Sequence, residues 1–192
     1  MRKLLILLII AVSPILAQVE TLVGDGFHSG GYGGLLFRVG IVKGEAALFS
    51  GGRGAWIINH RFAIGGGGYS MLTDVKTDAV TTGGNPLYMK IHMGGLELEY
   101  IEDSDKLLHW TFLVTLGGGT VAVRTKGSTA DYDSDEFFVM EPNANMDLNI
   151  NKWFRIGVGV SYRFAIGVDN PYAKASDVSG PSIGAVFKFG AF

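Results

Sequence analysis

Residues Phe154 to Ile166 read FRIGVGVSYRFAI. Phe154, Ile156, Val158, Val160, Tyr162, Phe164 and Ile166 fall on one side of an extended chain. Arg155, Gly157, Gly159, Ser161, Arg163 and Ala165 fall on the other. Successive side chains of a strand point to opposite faces of its sheet, so this period of two predicts a β-strand with one apolar and one polar face. The run is also long. Globular strands have about 5–6 residues, whereas a tilted strand needs about 9–11 to cross a bilayer.

The same pattern extends outward from this stretch. Upstream, Phe138, Met140, Pro142, Ala144, Met146 and Leu148 alternate with Val139, Glu141, Asn143, Asn145 and Asp147. Before that, Leu108, Trp110, Phe112, Val114 and Leu116 alternate with His109, Thr111, Leu113, Thr115 and Gly117. At the C-terminal end, Ile183, Ala185, Phe187, Phe189 and Ala191 alternate with Ser182, Gly184, Val186, Lys188 and Gly190. Two segments break phase. Leu87, Met89, Ile91 and Met93 are apolar at odd positions, but Leu96, Leu98 and Tyr100 at even ones. A bulge at Gly94-Gly95 would keep one apolar face throughout. Ala46 to Ile58 is ambiguous, with Gly51-Gly52 as a second candidate bulge. Adding Tyr32–Val42 and Phe62–Leu72 makes about eight strands, a number that closes into a small barrel.

The connections sort by length. Asn59-His60, Glu102 to Asp105 and Asn149 to Lys152 are short. The alternate connections Thr73 to Pro86, Lys126 to Asp135 and Val168 to Ser179 are long and polar, and only Lys43-Gly44-Glu45 among them is short. Short turns on one side and longer loops on the other are the layout of a membrane barrel. Trp56, Trp110 and Trp153, joined by Phe62 and Tyr100, all lie near the short turns, which suits an interfacial aromatic belt.

The start of the chain reads separately. Arg2 and Lys3 precede the apolar run Leu4 to Val12, and Ser13 to Gln18 supplies small residues for cleavage at Ala17. Residues 1–17 therefore read as a signal peptide, in preference to a retained anchor, since the apolar run is shorter than a spanning helix. Residues 18–30 are expected to form a short N-terminal periplasmic segment and residues 31–192 the barrel. No Cys stands near the cut to carry a lipid, and none occurs elsewhere, which excludes disulfides, thiolate metal sites and a Cys nucleophile. Loss of Arg2 and Lys3 takes the formal net charge from −2 to −4, which gives no reason to expect nucleic-acid binding. Most of the 29 glycines sit inside alternating runs such as Gly65 to Gly68 and Gly117 to Gly119, where they permit curvature and close backbone packing.

Taken together, the signal peptide, the alternating strands, the loop asymmetry and the terminal Phe192 make the chain resemble the small eight-stranded outer-membrane barrels of the OmpA/OmpX-like or opacity-protein-like class. The resemblance covers nearly the whole mature chain. It implies an all-β, antiparallel up-and-down transmembrane barrel in the outer membrane of a Gram-negative bacterium. It also implies contact with outer-membrane lipid, and recognition of the C-terminal strand ending in Phe192 by the barrel-insertion machinery. It implies an address more than an activity, because the class is not functionally uniform.

With apolar residues outward, the lumen would hold a charge network of Arg38, Lys90, Glu97, Glu99, His109, Glu141, Asp147, Arg155, Arg163 and Lys188, with His92, Asn143 and Asn145 beside it and Arg53 as a further candidate. Such a set reads either as a proton path or polar-ligand site or as a structural plug whose charges satisfy one another. The second is favoured, because unpaired buried charge is costly. Asp147 opposite Arg155, or Glu141 opposite Arg163, is expected to form an ion pair, and Glu99 is expected to face His109.

Some barrels similar to this one modify lipids and need a Ser-His-acid set near the outer leaflet. His28-Ser29, His60 and His109 all fall toward the short-turn side, so no catalytic residue is assigned. The four His have no i, i+2 pair, and Asp131, Asp133, Asp135 and Glu136 lack the spacing of a calcium loop, so no metal or other cofactor is expected. The function read from the sequence is a structural or surface-interaction barrel with a plugged lumen and exposed outer loops that could hold a surface ligand. The alternative is a soluble periplasmic or secreted lipocalin-like binding barrel, with its apolar face inward.

Overall fold

The computed structural model describes Phe27 to Phe192. The expected signal peptide of residues 1–17, and the expected N-terminal segment up to residue 26, lie outside the described residues. Nine strands follow in chain order: β1 (Ser29–Val42), β2 (Glu45–Ile58), β3 (Phe62–Met71), β4 (Val75–Val80), β5 (Pro86–Ile101), β6 (Leu108–Thr125), β7 (Asp133–Asn151), β8 (Phe154–Ile166) and β9 (Gly180–Ala191). A four-residue helix, α1 (Ala175–Val178), precedes β9.

All pairings are antiparallel. β3 pairs with β5 from Phe62↔Tyr100 to Ser70↔His92, and β4 pairs with the start of the same strand, from Val75↔Met89 to Val80↔Pro86. β3 and β4 are therefore two parts of one stave, interrupted at 72–74. β1 pairs with β2 on one side and with β9 on the other, which closes the sheet. The result is a closed eight-stave barrel in which β4, paired with β5 alone, leaves a short edge at the long-loop end.

The alternation sets the facing. Val158, Val160, Tyr162, Phe164 and Ile166 of β8 are exposed while Arg155, Arg163 and Ala165 are buried. Leu35, Phe37, Val39 and Ile41 of β1 and Phe189 and Ile183 of β9 continue this outward apolar wall. Trp56, Trp110 and Trp153 stand exposed at the short-turn end, with Phe62 against Tyr100 at 5.4 Å and Phe154 against Phe189 at 4.7 Å between ring centroids. A lipocalin-like arrangement, apolar inside and charged outside, is the reverse of this facing.

Three local expectations are corrected. β5 has no bulge at Gly94-Gly95: its register with β6 is unbroken from Leu87↔Thr125 to Ile101↔Thr111. Odd residues point inward along its whole length, so Leu87, Met89, Ile91 and Met93 are buried in the lumen. β2 is equally continuous through Gly51 and Gly52 against both neighbours. And the segment Thr73 to Pro86 is not one loop, because Val75–Val80 returns to the sheet as β4. The phase change in β5 is a change in what the lumen contains.

Turn chemistry pins the short side. Asn59 and His60 both have positive φ, and Arg61 N–H donates to Ile58 O at 3.1 Å, a two-residue turn whose twist matches the flanking strands. Asn59 Oδ1 accepts from the His28 N–H, which ties the N-terminal segment to that turn. Between β2 and β3 a side chain has no room at Gly65, where a Cβ would lie 2.0 Å from the Gly54 carbonyl oxygen.

Candidate functional site

The lumen has two halves. Toward the long-loop end, Phe49, Met71, Val75, Met89, Ile91, Met93, Val121, Phe137 and Val139 pack into one apolar cluster. Ala173 and Val178, from the segment between β8 and β9, join the cluster and cover the outer mouth. Arg163 anchors this cover: its Nε donates to Val178 O at 2.6 Å and its Nη2 to Ile41 O at 3.2 Å. Lys43 N–H donates to Asp177 O at 2.8 Å from the neighbouring turn.

Toward the short-turn end the inward positions carry charge. Lys188 Nζ of β9 reaches Glu99 of β5 at 2.5 Å and Asp147 of β7 at 2.7 Å, across the barrel interior. Tyr32 of β1 donates its hydroxyl to the second oxygen of Glu99 at 2.6 Å. Arg53 of β2 reaches Glu97 of β5 at 3.2 Å and the Tyr69 hydroxyl at 3.0 Å, and Tyr69 donates in turn to Glu97. Above them, at mid-height, Arg38 of β1 pairs with Glu141 of β7 and its guanidinium lies over the rings of Phe49 and Tyr69. Glu97, Glu99, Glu141, Asp147, Arg163 and Lys188 are all buried, so these contacts replace water that the carboxylates and cations have lost.

The inner mouth is closed by Arg155 and the chain's last residue. Arg155 Nη2 donates to Ser104 O at 3.1 Å, and Nη1 lies 3.5 Å from His109 Nε2. Its guanidinium carbon stands 4.0 Å from the Phe192 ring centre, and Phe192 stacks on Tyr32 at 6.0 Å. Phe192 shares the inward parity of Lys188 and packs against the cluster of Tyr32, Ile57, Ala63 and Ile101.

Of the ten residues of the charge network expected from sequence, nine are buried on inward positions: Arg38, Glu97, Glu99, His109, Glu141, Asp147, Arg155, Arg163 and Lys188; Arg53 and Asn145 are buried beside them. Lys90 is not among this set. It has the outward parity of β5, and its Nζ is held by Asp74 at 2.7 Å and by the carbonyls of Leu72 and Thr73, where it bridges the break between β3 and β4. His92 shares that outward face, a direct consequence of the missing bulge. The expected pairings also differ. Asp147 pairs with Lys188 rather than Arg155, and Glu141 with Arg38 rather than Arg163. Glu99 takes Lys188 and Tyr32 as partners, and the two ring nitrogens of His109 face the Lys106 carbonyl and Arg155, so the expected Glu99–His109 pair is not formed. Lumen partners are reached across the interior, and register between neighbouring staves does not select them. Tyr32 and Tyr69 complete the network without having been read from the sequence; their inward parity was the available signal.

On the outer wall, His92 Nδ1 lies 3.0 Å from Ser70 Oγ. The pair lines a shallow depression of about 580 Å³ with Gly68, Gly94, Gly118, Thr120 and Glu136. In register, Thr120 stands between His92 and Glu136. The long-loop end also carries the acidic residues of 131–136. There Asp135 accepts from Asp169 N–H at 2.5 Å, and Tyr132 meets Tyr172 edge-on at 5.9 Å, so two outer segments are tied together. No group of three or more metal-type ligands gathers among the described residues.

The barrel matches solved structures end to end. Neisserial surface protein A (NspA) superposes with a TM-score of 0.62 at 12% identity, over 85% of this chain and 98% of that one. Ail, the attachment invasion locus protein of Yersinia pestis, superposes with a TM-score of 0.51 at 11% identity, over 84% and 97%. The chain has the fold of the small eight-stranded outer-membrane barrels. No protein-family model matches the sequence, and no curated protein matches it. The two likenesses are of fold, carried by facing, closure and strand number.

Proposed function

We propose that this protein is an outer-membrane surface barrel of a Gram-negative bacterium, exported by a cleaved signal peptide and closed to ions along its axis. In this reading its outer segments are what meets other molecules. The facing carries the reading. Large apolar side chains cover the outside of a closed sheet, aromatic residues ring its short-turn end, and the charged side chains of Arg53, Glu97, Glu99, Asp147 and Lys188 in that half turn inward. An exposed apolar surface of that extent suits lipid and not water. The C-terminal strand ending in Phe192 is the segment proposed to engage the insertion machinery.

The closed lumen rests on side-chain volume. Eight staves leave an interior that side chains fill, whereas aqueous pores need about sixteen. Here an apolar plug of Phe49, Met89, Ile91, Val121 and Phe137 lies above a paired-charge plug of Arg53, Glu97, Glu99, Asp147 and Lys188. A hydrated ion would have to displace the first and break the second. The surface role is placed on residues 126–132 and 167–179 and on the 81–85 turn, at the end where β4, β6 and β7 extend. The proposed role is non-enzymatic. The two fold neighbours, a surface protein and an attachment protein, are in keeping with it.

Planar-bilayer recording of the purified, refolded protein tests the closed axis. The expected record is a flat baseline. Reproducible conductance steps of porin size, absent from a mock preparation, would overturn it.

A further inference from the structure

We infer that the lumen holds one buried monovalent anion of the halide class, seated between Arg38 and Asn145 at mid-height. Arg38 of β1, Gly184 of β9, Gly159 of β8, Asn145 of β7 and Thr111 of β6 stand side by side in one row of the sheet. The two glycines add no side chain of their own between the two polar residues, and Asn145 Oδ1 leans over Gly159 while the Arg38 Cβ lies against Gly184. A cavity with room for about one water-sized occupant lies there, lined by Arg38, Asn143, Asn145 and Ser161 with Gly159 and Gly184.

The unpartnered atoms on the two flanking side chains can all donate: Arg38 Nε and Nη2 and Asn145 Nδ2 are buried and make no hydrogen bond. Thr111 Oγ1, beyond Asn145 in the row, and Ser182 Oγ, over Gly40, are also unpartnered but do not line the cavity. Arg38 and Asn145 are each more than nine-tenths buried. Buried donors in native proteins are nearly always satisfied, so this cluster calls for an acceptor.

The charge count says which acceptor. The buried inward cations are Arg38, Arg53, Arg155, Arg163 and Lys188; the buried carboxylates are Glu97, Glu99, Glu141 and Asp147. One positive charge is left over, and it is localised. Arg53 has Glu97, and Lys188 with Arg155 balances Glu99 and Asp147 toward the inner mouth. Glu141 alone answers Arg38 at mid-height and Arg163 above it, toward the long-loop end. It is bonded to Arg38, and the flanking pairs Met140↔Phe164 and Asn143↔Ser161 set it across from Arg163. Arg163 is fully buried and finds only two carbonyls and the Phe49 ring. An unbalanced guanidinium in a low-dielectric interior is costly, and a small anion removes both the excess charge and the unfilled donors. Water would fill the donors but leave the charge.

The test uses bromide as the probe. Crystals of the refolded full barrel in sodium bromide are expected to show anomalous density in the cavity between Arg38 and Asn145. In detergent, replacing sulfate by chloride or bromide at equal ionic strength is expected to raise the unfolding midpoint saturably. Asn145→Asp places a fixed carboxylate there with almost no change of shape. It is expected to lose the bromide peak and the halide dependence while keeping the heat-shifted gel mobility of a folded barrel. Density with no anomalous signal at saturating bromide, or an undiminished halide effect in Asn145→Asp, would overturn the inference. The bromide map of the unaltered protein decides the matter even where the variant does not fold.

Discussion

Replacing Lys188 by Met removes the one cation that two carboxylates share. Lys188 is 2% exposed and Asp147 fully buried, so water does not take the place of the lost ammonium. The two carboxylates are not equal afterwards. Glu99 keeps the Tyr32 hydroxyl at 2.6 Å. Asp147 is left bare, because its Oδ2 was bonded to Lys188 and its Oδ1 has no partner. Removing one partner of a buried ion pair costs about 3–5 kcal/mol, most of it the penalty of the charge left behind. Lys188→Met is therefore expected to lose about that much, measured by reversible urea unfolding of the barrel in lipid vesicles. The asymmetry gives a sharper test. Adding Asp147→Asn to Lys188→Met should restore more stability than adding Glu99→Gln, because it neutralises the carboxylate with no other donor. A Lys188→Met barrel within about 1 kcal/mol of the parent would refute the reasoning, since an exposed pair is worth no more than that. So would equal rescue by the two second changes.

Two further outcomes follow from the same structure. Val160 is 56% exposed on the outward face of β8, and Val160→Arg is expected to cost about 2–4 kcal/mol in vesicles if that face meets the bilayer interior; an unchanged urea midpoint would contradict the facing. In the β5–β6 turn, Lys106 donates to Asp103 at 2.5 Å and holds its carboxyl below the usual range. A lowered carboxyl favours the folded turn above the ordinary carboxylate pKa, and that contribution fades as pH falls through the lowered value. NMR titration should give Asp103 a midpoint below the ordinary range that rises in Lys106→Gln, and an unmoved midpoint would discount the pair.

The architecture was legible because period-two alternation carries facing, and facing in a closed sheet fixes what meets lipid. β8 and β7 read correctly from the pattern alone, and so did the two-residue turn at Asn59-His60. β5 did not. A single apolar face along its length requires a bulge at Gly94-Gly95. The strand is straight in register, and its upper inward residues are apolar because the lumen itself changes from charged to apolar at that height. Such a bulge would turn Lys90 and His92 inward, whereas in the continuous strand they face outward. Alternation reports a contrast between faces; it does not say which face is which once both are apolar. The ion pairs were illegible for a different reason. Lys188 meets Glu99 and Asp147 across the barrel, and Arg38 meets Glu141 from β1 to β7, at sequence separations that no local spacing encodes. β4 was hidden by its polar composition, Val75 to Val80 reading as loop because its outward residues Lys76 and Asp78 stand beyond the apolar wall.

The central claim is that the apolar outer wall lies in the outer membrane, and fractionation of the producing cells tests it most directly. After separation of inner and outer membranes, the mature protein is expected in the outer-membrane pellet. It should stay there through carbonate and urea washes, leave only with detergent, and run as a compact band that shifts on boiling. Recovery of the folded protein in the soluble periplasmic or secreted fraction, without detergent, would contradict the account.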